Sequence, residues 1–359
     1  MKRFFAVLVV LVMAMAMAAP AFAEGAVKIG VAMPTQSLQR WNQDGAYMQS
    51  MLEAAGYEVV LTYSDNDLAR QLNDIENMLT AGCEVLVIAS IDGGALGTVL
   101  ATAKEMGVPV IAYDRLLVDT DAVDYYATFD NYKVGVIQGQ FLVDALGLAE
   151  GNGPFNIEFV GGSPDDTNAT YFLNGAQDTL RPYLDNGQLV VPSGQMTLAE
   201  VGTPTWATSV AQERFENIIA ANYASGEKVL DAVLCSNDST AMGVINALIA
   251  AGFEKFPFIT GQDCDKANMQ YIVSGVQSMS VFKDTRTLAE KVVGMVDALL
   301  KGEEPEINDT TTYNNNVKVV PSYLCVPVFG SADNYKELLI DSGYYVEKDG
   351  VFYTPDEVG

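Results

Sequence analysis

Histidine is absent from all 359 residues. Without an imidazole there is no His-dependent nucleophile, no His-ligated zinc, and no side chain that titrates unperturbed near neutrality. Basic residues are scarce as well. Lys and Arg number 20 against 46 Asp and Glu, a formal net charge of −26, so neither nucleic acid nor anionic lipid is expected as a partner. The four cysteines show no CxxC spacing, and a chain this long does not need stapling, so most are read as small buried apolar side chains. A single bridge between Cys235 and Cys264, each near the end of a predicted strand, is left open. Only two tryptophans occur, Trp41 and Trp206.

A single long apolar run is present, and it stands at the N-terminus. Lys2 and Arg3 precede an apolar stretch from Phe4 to about Ala19, and "PAFAEG" puts Ala21 and Ala23 at the small-residue positions of a signal-peptidase site. An exported, soluble protein cleaved after Ala23 is expected, with the run too short for a stable span. Removal of Lys2 and Arg3 takes the formal charge from −26 to −28. At 49% hydrophobic and 18% charged residues, the remainder is long enough for two ordinary domains and too apolar for disorder.

From residue 27 onward, β-rich runs alternate with amphipathic helical stretches. "VKIGVAM", "YEVVLTYS", "CEVLVIAS" and "VPVIAYD" are predicted strands, separated by helices that end at glycines. This β-α-β series implies a parallel sheet covered on both faces. After the Gly-rich "EGNGP", a second series runs through "FNIEFVGG", "AVLCSND" and "PFITGQD". The halves echo each other: predicted strands end on Asp92 and on Asp114 with Arg115 in the first, and on Asn237 with Asp238 and on Asp263 in the second. Ligands of such sheets collect at the carboxyl ends of the strands, so these polar residues are expected to face one crevice.

The candidate cleft groups are Arg40, Trp41, Asp114, Arg115, Trp206, Asn237, Asp238, Asp263 and Lys283. Carboxylates accept hydrogen bonds while Arg, Lys and Asn donate them, and a sugar hydroxyl does both at once. An indole offers a flat partner to the apolar face of a pyranose. Structural uses remain open for several of these groups: "YDR" can tie a strand to the following loop, and either tryptophan can be core. Other motifs fail. "FVGGSPDD" lacks the spacing of a phosphate-cradling loop, and "SDNDLAR" and "QDCDKAN" lack the glycine and distal glutamate of a calcium loop. No catalytic residue, metal or cofactor is expected.

In order along the chain, "RWNQDG", "QLNDIENMLTAG", "VLVIASIDG", "IAYDRL", "YYATFDNYKVG", "GGSPDD", "SND", "GQD", "VFKDTR" and "KVVPSYL" resemble the multiple-sugar and D-xylose periplasmic binding proteins of ABC importers, over nearly the whole mature chain. The resemblance implies the type I periplasmic binding fold: α/β, with two Rossmann-like lobes joined by three crossover segments. The crossovers are expected near Asn131, Lys283 and Pro321. That divides the chain into a leader (1–23), an N-terminal lobe (24–130 plus 284–320) and a C-terminal lobe (131–283 plus 321–359).

Residue by residue, the resemblance implies sugar contacts at Arg40, Trp41, Asp114, Arg115, Trp206 as a stacking face, Asn237, Asp263 and Lys283. Xylose-type relatives place a basic contact where "NATYFLNGA" has Leu173, so one hydrogen bond is lost or moved to Asn168 or Asn174. The implied protein is a monomeric, non-enzymatic receptor. It captures an aldopentose or aldohexose and delivers it to the membrane subunits of an ABC permease. Two alternatives stand beside it: a co-receptor presenting its closed form to a chemoreceptor or sensor kinase, as in chemotaxis, and, more remotely, a carboxylate-based sugar-processing enzyme.

Overall fold

The computed structural model describes residues 25–358; the leader and its cleavage point after Ala23 lie outside them. The strands of the first half are β1 (Lys28–Met33), β2 (Glu58–Tyr63), β3 (Cys83–Ile88), β4 (Val110–Tyr113) and β5 (Tyr125–Phe129). Those of the second are β6 (Phe155–Val160), β7 (Leu189–Val190), β8 (Ala232–Cys235), β9 (Phe258–Ile259), β10 (Ser280–Phe282), β11 (Ser322–Cys325) and β12 (Val328–Gly330), followed by a hairpin of β13 (Val346–Lys348) and β14 (Val351–Tyr353). Between them run helices α1 (Gln39–Ala54), α2 (Leu68–Thr80), α3 (Gly97–Glu105), α4 (Asn131–Ala145), α5 (Thr167–Asp185), α6 (Leu198–Val201), α7 (Thr208–Asn222), α8 (Asp238–Ala250), α9 (Lys266–Ser274) and α10 (Thr285–Lys301).

Two parallel sheets form the two lobes. The first has the order β11-β5-β4-β3-β1-β2, the second β7-β6-β8-β9. A parallel bridge between Gln262 and Val281 brings β10 alongside the second sheet, and β12 pairs antiparallel with β10. The period of two in β3 explains how its sheet is sandwiched. Val85 and Val87 pack with Met48 and Leu52 of α1 and Leu288, Val292 and Val296 of α10, while Leu86 and Ile88 pack with Ile75 and Met78 of α2 and Leu100 of α3. The second sheet is covered likewise, by α4 and α5 on one face and by α7 and α8 on the other. Among the described residues, no helix is long and apolar enough to cross a membrane.

The chain passes between the sheets three times: from β5 into α4 at Asp130, from β10 into α10 at Lys283 and Asp284, and from β11 into β12 at Val326 and Pro327. The third passage corrects the expectation at Pro321. Ser322 to Cys325 pair with Tyr126 to Phe129 in the first sheet, so these residues stand with the first lobe. Proline reads as a break, but at the start of an edge strand its missing N–H is harmless, and its carbonyl accepts from Tyr126 N at 3.0 Å. All four cysteines are free and buried, which answers the open question of a Cys235–Cys264 bridge.

Candidate functional site

The carboxyl ends of both sheets meet at one cavity in the cleft between them, and its wall begins with Arg40 in the first turn of α1. The Arg40 guanidinium reaches Asp44 one turn on (Nε–Oδ2, 2.9 Å), Asp114 at the end of β4 (Nη2–Oδ1, 2.6 Å) and Asp263 beyond β9 (Nη1–Oδ1, 3.8 Å). Burial opposes its charge, yet the three carboxylates hold its pKa well above the usual arginine value. Asp44 also accepts from the Tyr113 hydroxyl. Burial pushes its carboxyl up to about 6, against the pull of Arg40.

Asp114 turns out of β4 in the left-handed region, at φ 58°. Its backbone carbonyl collects donors from Tyr126 Oη (2.6 Å), Asn168 Nδ2 (2.6 Å) and Thr128 Oγ1 (3.2 Å), which hold a conformation that non-glycine residues rarely adopt. Burial would raise the Asp114 carboxyl, but Arg40, then Lys283 and Arg115, outweigh it and keep the group below the ordinary aspartate value. Arg115 donates from Nη1 to Ser90 O at 2.9 Å and places Nε 3.2 Å from Asp166 Oδ2 in the opposite lobe. Burial raises the Asp166 carboxyl despite that guanidinium. Trp41 carries both guanidinium groups near its ring, Arg40 at 5.1 Å and Arg115 at 5.0 Å from the centroid, so part of its role is to order them by cation–π attraction.

Lys283 supplies the third cation, with its side chain 2% exposed, and its Nζ lies 2.9 Å from Asp263 Oδ1. Asp263 is also left-handed, at φ 92°, and is pinned by its N–H donating to Val281 O at 2.9 Å. Asn237 caps α8, its Oδ1 accepting from Thr240 N at 3.0 Å, so its amide nitrogen remains to face the cavity. Trp206 closes the far wall. It sits at φ 58° after Thr205 at φ 55° and packs edge-on to Phe172 with centroids 6.2 Å apart. A Cβ on Gly162 would stand 1.9 Å from the indole, so only glycine admits the ring there.

All nine residues of the proposed contact set line this one cavity: Arg40, Trp41, Asp114, Arg115, Asn168, Trp206, Asn237, Asp263 and Lys283. Leu38, Asp166, Phe172, Ser239, Gln262 and Asp265 line it too and were not foreseen. Asp166 stood in "GGSPDD", dismissed as a poor phosphate loop, and Asp265 in "QDCDKAN", dismissed as a poor cation loop. Their common signal is a carboxylate at a helix N-cap beside a strand end.

Two readings are corrected and a third is narrowed. Asp238 does not face the cavity: it lies behind the wall, accepting from Asp265 N (2.9 Å), Gln277 Nε2 (2.7 Å) and Ser280 Oγ. Burial pushes it up to about 7. Asp92 caps its own turn through Gly94 N at 2.9 Å and is not in the lining. Leu173 belongs to the core of the second lobe, Asn174 is exposed, and Phe172 takes the place in the wall. Asn168 does line the cavity, but its amide already serves the wall: Nδ2 donates to Asp114 O, and Oδ1 accepts from Tyr126 Oη (3.0 Å) and Asn131 Nδ2 (2.9 Å).

The chemistry of the cavity is that of a neutral polyol. Three cations, Arg40, Arg115 and Lys283, stand against four carboxyls, Asp114, Asp166, Asp263 and Asp265. Asp265 is pushed well above the aspartate range by burial and then by the charges of Asp238 and Asp263, which brings the wall close to balance. Trp206 Nε1, Gln262 Oε1 and Asp265 Oδ1 are buried and unpaired among the described residues, and a hydroxylated ligand can serve such donors and acceptors together. Among the described residues, no group of three or more His, Cys, Asp or Glu side chains could hold a metal ion.

The periplasmic binding protein domain matches residues 29–304. The multiple sugar-binding periplasmic receptor of Rhizobium radiobacter is 49% identical over 331 residues, covering 91% of this chain and 93% of its own. The D-xylose-binding periplasmic protein of Escherichia coli is 36% identical over 323 residues, covering 90% and 92%. Among solved structures, an ABC transporter solute-binding protein from Clostridium phytofermentans with bound β-D-glucose superposes with a TM-score of 0.87 at 57% identity, covering 89% of this chain and 98% of that one.

Proposed function

Because the chain belongs to the periplasmic binding protein family, we propose that it encloses one neutral monosaccharide, an aldohexose or aldopentose, between its lobes and delivers it to the membrane subunits of an ABC importer. One observation carries the reading: donors, acceptors and two aromatic walls from both lobes converge on a single buried cavity whose charges nearly cancel. A phosphorylated or strongly acidic ligand would bring unbalanced negative charge to a wall whose three cations are already paired with Asp114, Asp166 and Asp263. The relatives are binding and transport receptors, and the glucose-bound neighbour makes D-glucose the first ligand to try. The family supports an exported, periplasmic location, and the leader expected over residues 1–23 fits it. The test is a thermal-shift screen of hexoses, pentoses and uronic acids, since a ligand that binds only the folded state raises the melting temperature. If no neutral sugar shifts it, the reading fails.

The two tryptophans give an optical check. Trp206 has an unpaired indole N–H at the cavity wall, and Trp41 lies beneath two guanidinium groups, so an arriving sugar changes the surroundings of both. A sugar-dependent change in fluorescence is expected, reduced in Trp206→Phe and in Trp41→Phe. A response intact in both variants would remove the indoles from the site.

Closure is the accompanying motion. Arg40, Asp114 and Arg115 come from the first lobe and Trp206, Asn237 and Asp263 from the second, and contacts such as Arg115–Asp166 at 3.2 Å exist only with the cleft shut. The hinges are the three passages at Asp130, Lys283–Asp284 and Val326–Pro327, with Asp130 and Asp284 capping the helices that leave them. Small-angle scattering should show a smaller radius of gyration on saturation with sugar. An unchanged radius with a sugar that binds would mean a preformed cavity.

A further inference from the structure

Gln39 opens α1 immediately before Arg40, yet it is not among the residues that line the cavity. Its side chain crosses to the other lobe instead. Oε1 accepts from the backbone N–H of Lys266, the first residue of α9, at 3.0 Å, and Nε2 donates to the hydroxyl of Tyr345 at 2.7 Å and to Gln43 Oε1 at 3.2 Å. The Lys266 N–H is one of the amides that a helix start leaves without an internal partner. Tyr345 Oη in turn donates to Cys264 O at 3.0 Å, the carbonyl between the two cavity carboxyls Asp263 and Asp265. That loop is strained, with Asp263 at φ 92° and Cys264 at φ 52°.

The C-terminal segment that carries Tyr345 packs on α9 and β10 of the second lobe, and its neighbour Tyr344 also touches the first lobe through Thr285 of α10 (3.1 Å) and Gln43 of α1 (3.5 Å). Tyr345 is 1% exposed and packs in a cluster with Tyr344, Met269, Ile272, Phe282 and Leu339, and Glu357 pairs with Lys266 at 2.6 Å. Gln39 therefore reaches from α1 of the first lobe to Lys266 at the start of α9 and to Tyr345, which holds the Cys264 loop. The Lys266 bond joins α1 of the first lobe directly to α9 of the second, and neither atom of Gln39 involved is at the cavity.

We propose that Gln39 is a latch on the closed form: with Tyr345 it sets how readily the lobes shut, and it scales the affinity for every sugar by one common factor. The inference rests on the sugar-binding reading. A ligand that binds only the closed form has an apparent dissociation constant equal to the intrinsic one divided by the closed fraction. A contact outside the cavity alters that fraction alone, whereas a contact to the sugar alters the preference between sugars. Gln39 is thus a positioning residue rather than a ligand contact.

The experiment measures dissociation constants for D-glucose and D-xylose by calorimetry in the wild type, Gln39→Ala and Tyr345→Phe, with circular dichroism and a melting curve to show that each variant is folded. Loss of two net hydrogen bonds predicts that Gln39→Ala binds both sugars about tenfold more weakly, with the ratio between the sugars unchanged within about twofold. Tyr345→Phe keeps the packed ring and should weaken both sugars as well; because it also frees Cys264 O between Asp263 and Asp265, the ratio between the sugars is diagnostic in Gln39→Ala and not in this variant. The double variant should fall short of the product of the two single effects, because they share one bond. Wild-type affinity in Gln39→Ala overturns the latch, and so does a shifted ratio between the sugars, which would make Gln39 a sugar contact. A wild type that binds no neutral sugar overturns the sugar reading itself.

Discussion

Asp263→Ala and Asp114→Ala are each expected to weaken sugar binding by roughly 2–5 kcal/mol, measured by calorimetry, because removing one partner of a buried, hydrogen-bonded charge pair leaves the other uncompensated. Asp263 is the acceptor 2.9 Å from the ammonium of Lys283, a side chain 2% exposed, and it reaches Arg40 across the cleft at 3.8 Å. Asp114 holds the same guanidinium at 2.6 Å. Each truncation strands a cation and removes an acceptor that sugar hydroxyls would use. Stability should fall less than affinity, since both residues project from strand ends into a cavity rather than into a packed core. Near wild-type affinity in both variants would return these carboxylates to a purely structural role.

Gly135→Ala should lower folding stability by about 3 kcal/mol, at the upper end of what overpacking costs. Helices α4 and α5 cross so closely that a Cβ on Gly135 would lie 2.0 Å from the carbonyl oxygen of Phe172, and one on Gly175 would lie 2.1 Å from that of Tyr132. The obstacle is backbone, which cannot rotate away as a side chain can. The helices must part, and Phe172 and Asn168, both on α5 and both in the cavity wall, must move with them. The variant should therefore also bind sugar more weakly. A chemical denaturation curve that superposes on the wild type would show that the helices separate at no cost.

Much of the site was legible because a parallel α/β sheet converts position in sequence into position in space. Asp114 and Arg115 follow β4 directly, Asp263 follows β9 and Lys283 follows β10, so knowing where a strand ends was enough to place their side chains at the crevice. Phe172 and Leu173 show where that logic stops. On a helix, neighbours differ by about 100° around the axis, and one residue of phase decides between the cavity and the core. Asp238 and Asp265 were equally ambiguous. Both are acidic and near a strand end, and what separates them is that Gln277 and Ser280, some 40 residues away from Asp238 in sequence, turn its carboxylate into the protein.

The sequence by itself determined the alternation of strands and helices, the two repeated halves, the exclusion of histidine chemistry, and the set of strand-end residues that could meet a polar ligand. All of these depend on local pattern and composition. Tertiary structure alone decided that Ser322 to Cys325 join the first sheet, that Asp166 pairs with Arg115, that Trp206 rests on Gly162, and that Gln39 grips Lys266 and Tyr345. Each of these contacts joins residues about 40 to 300 positions apart, and side-chain direction at that range is set by how the elements pack rather than by any local preference.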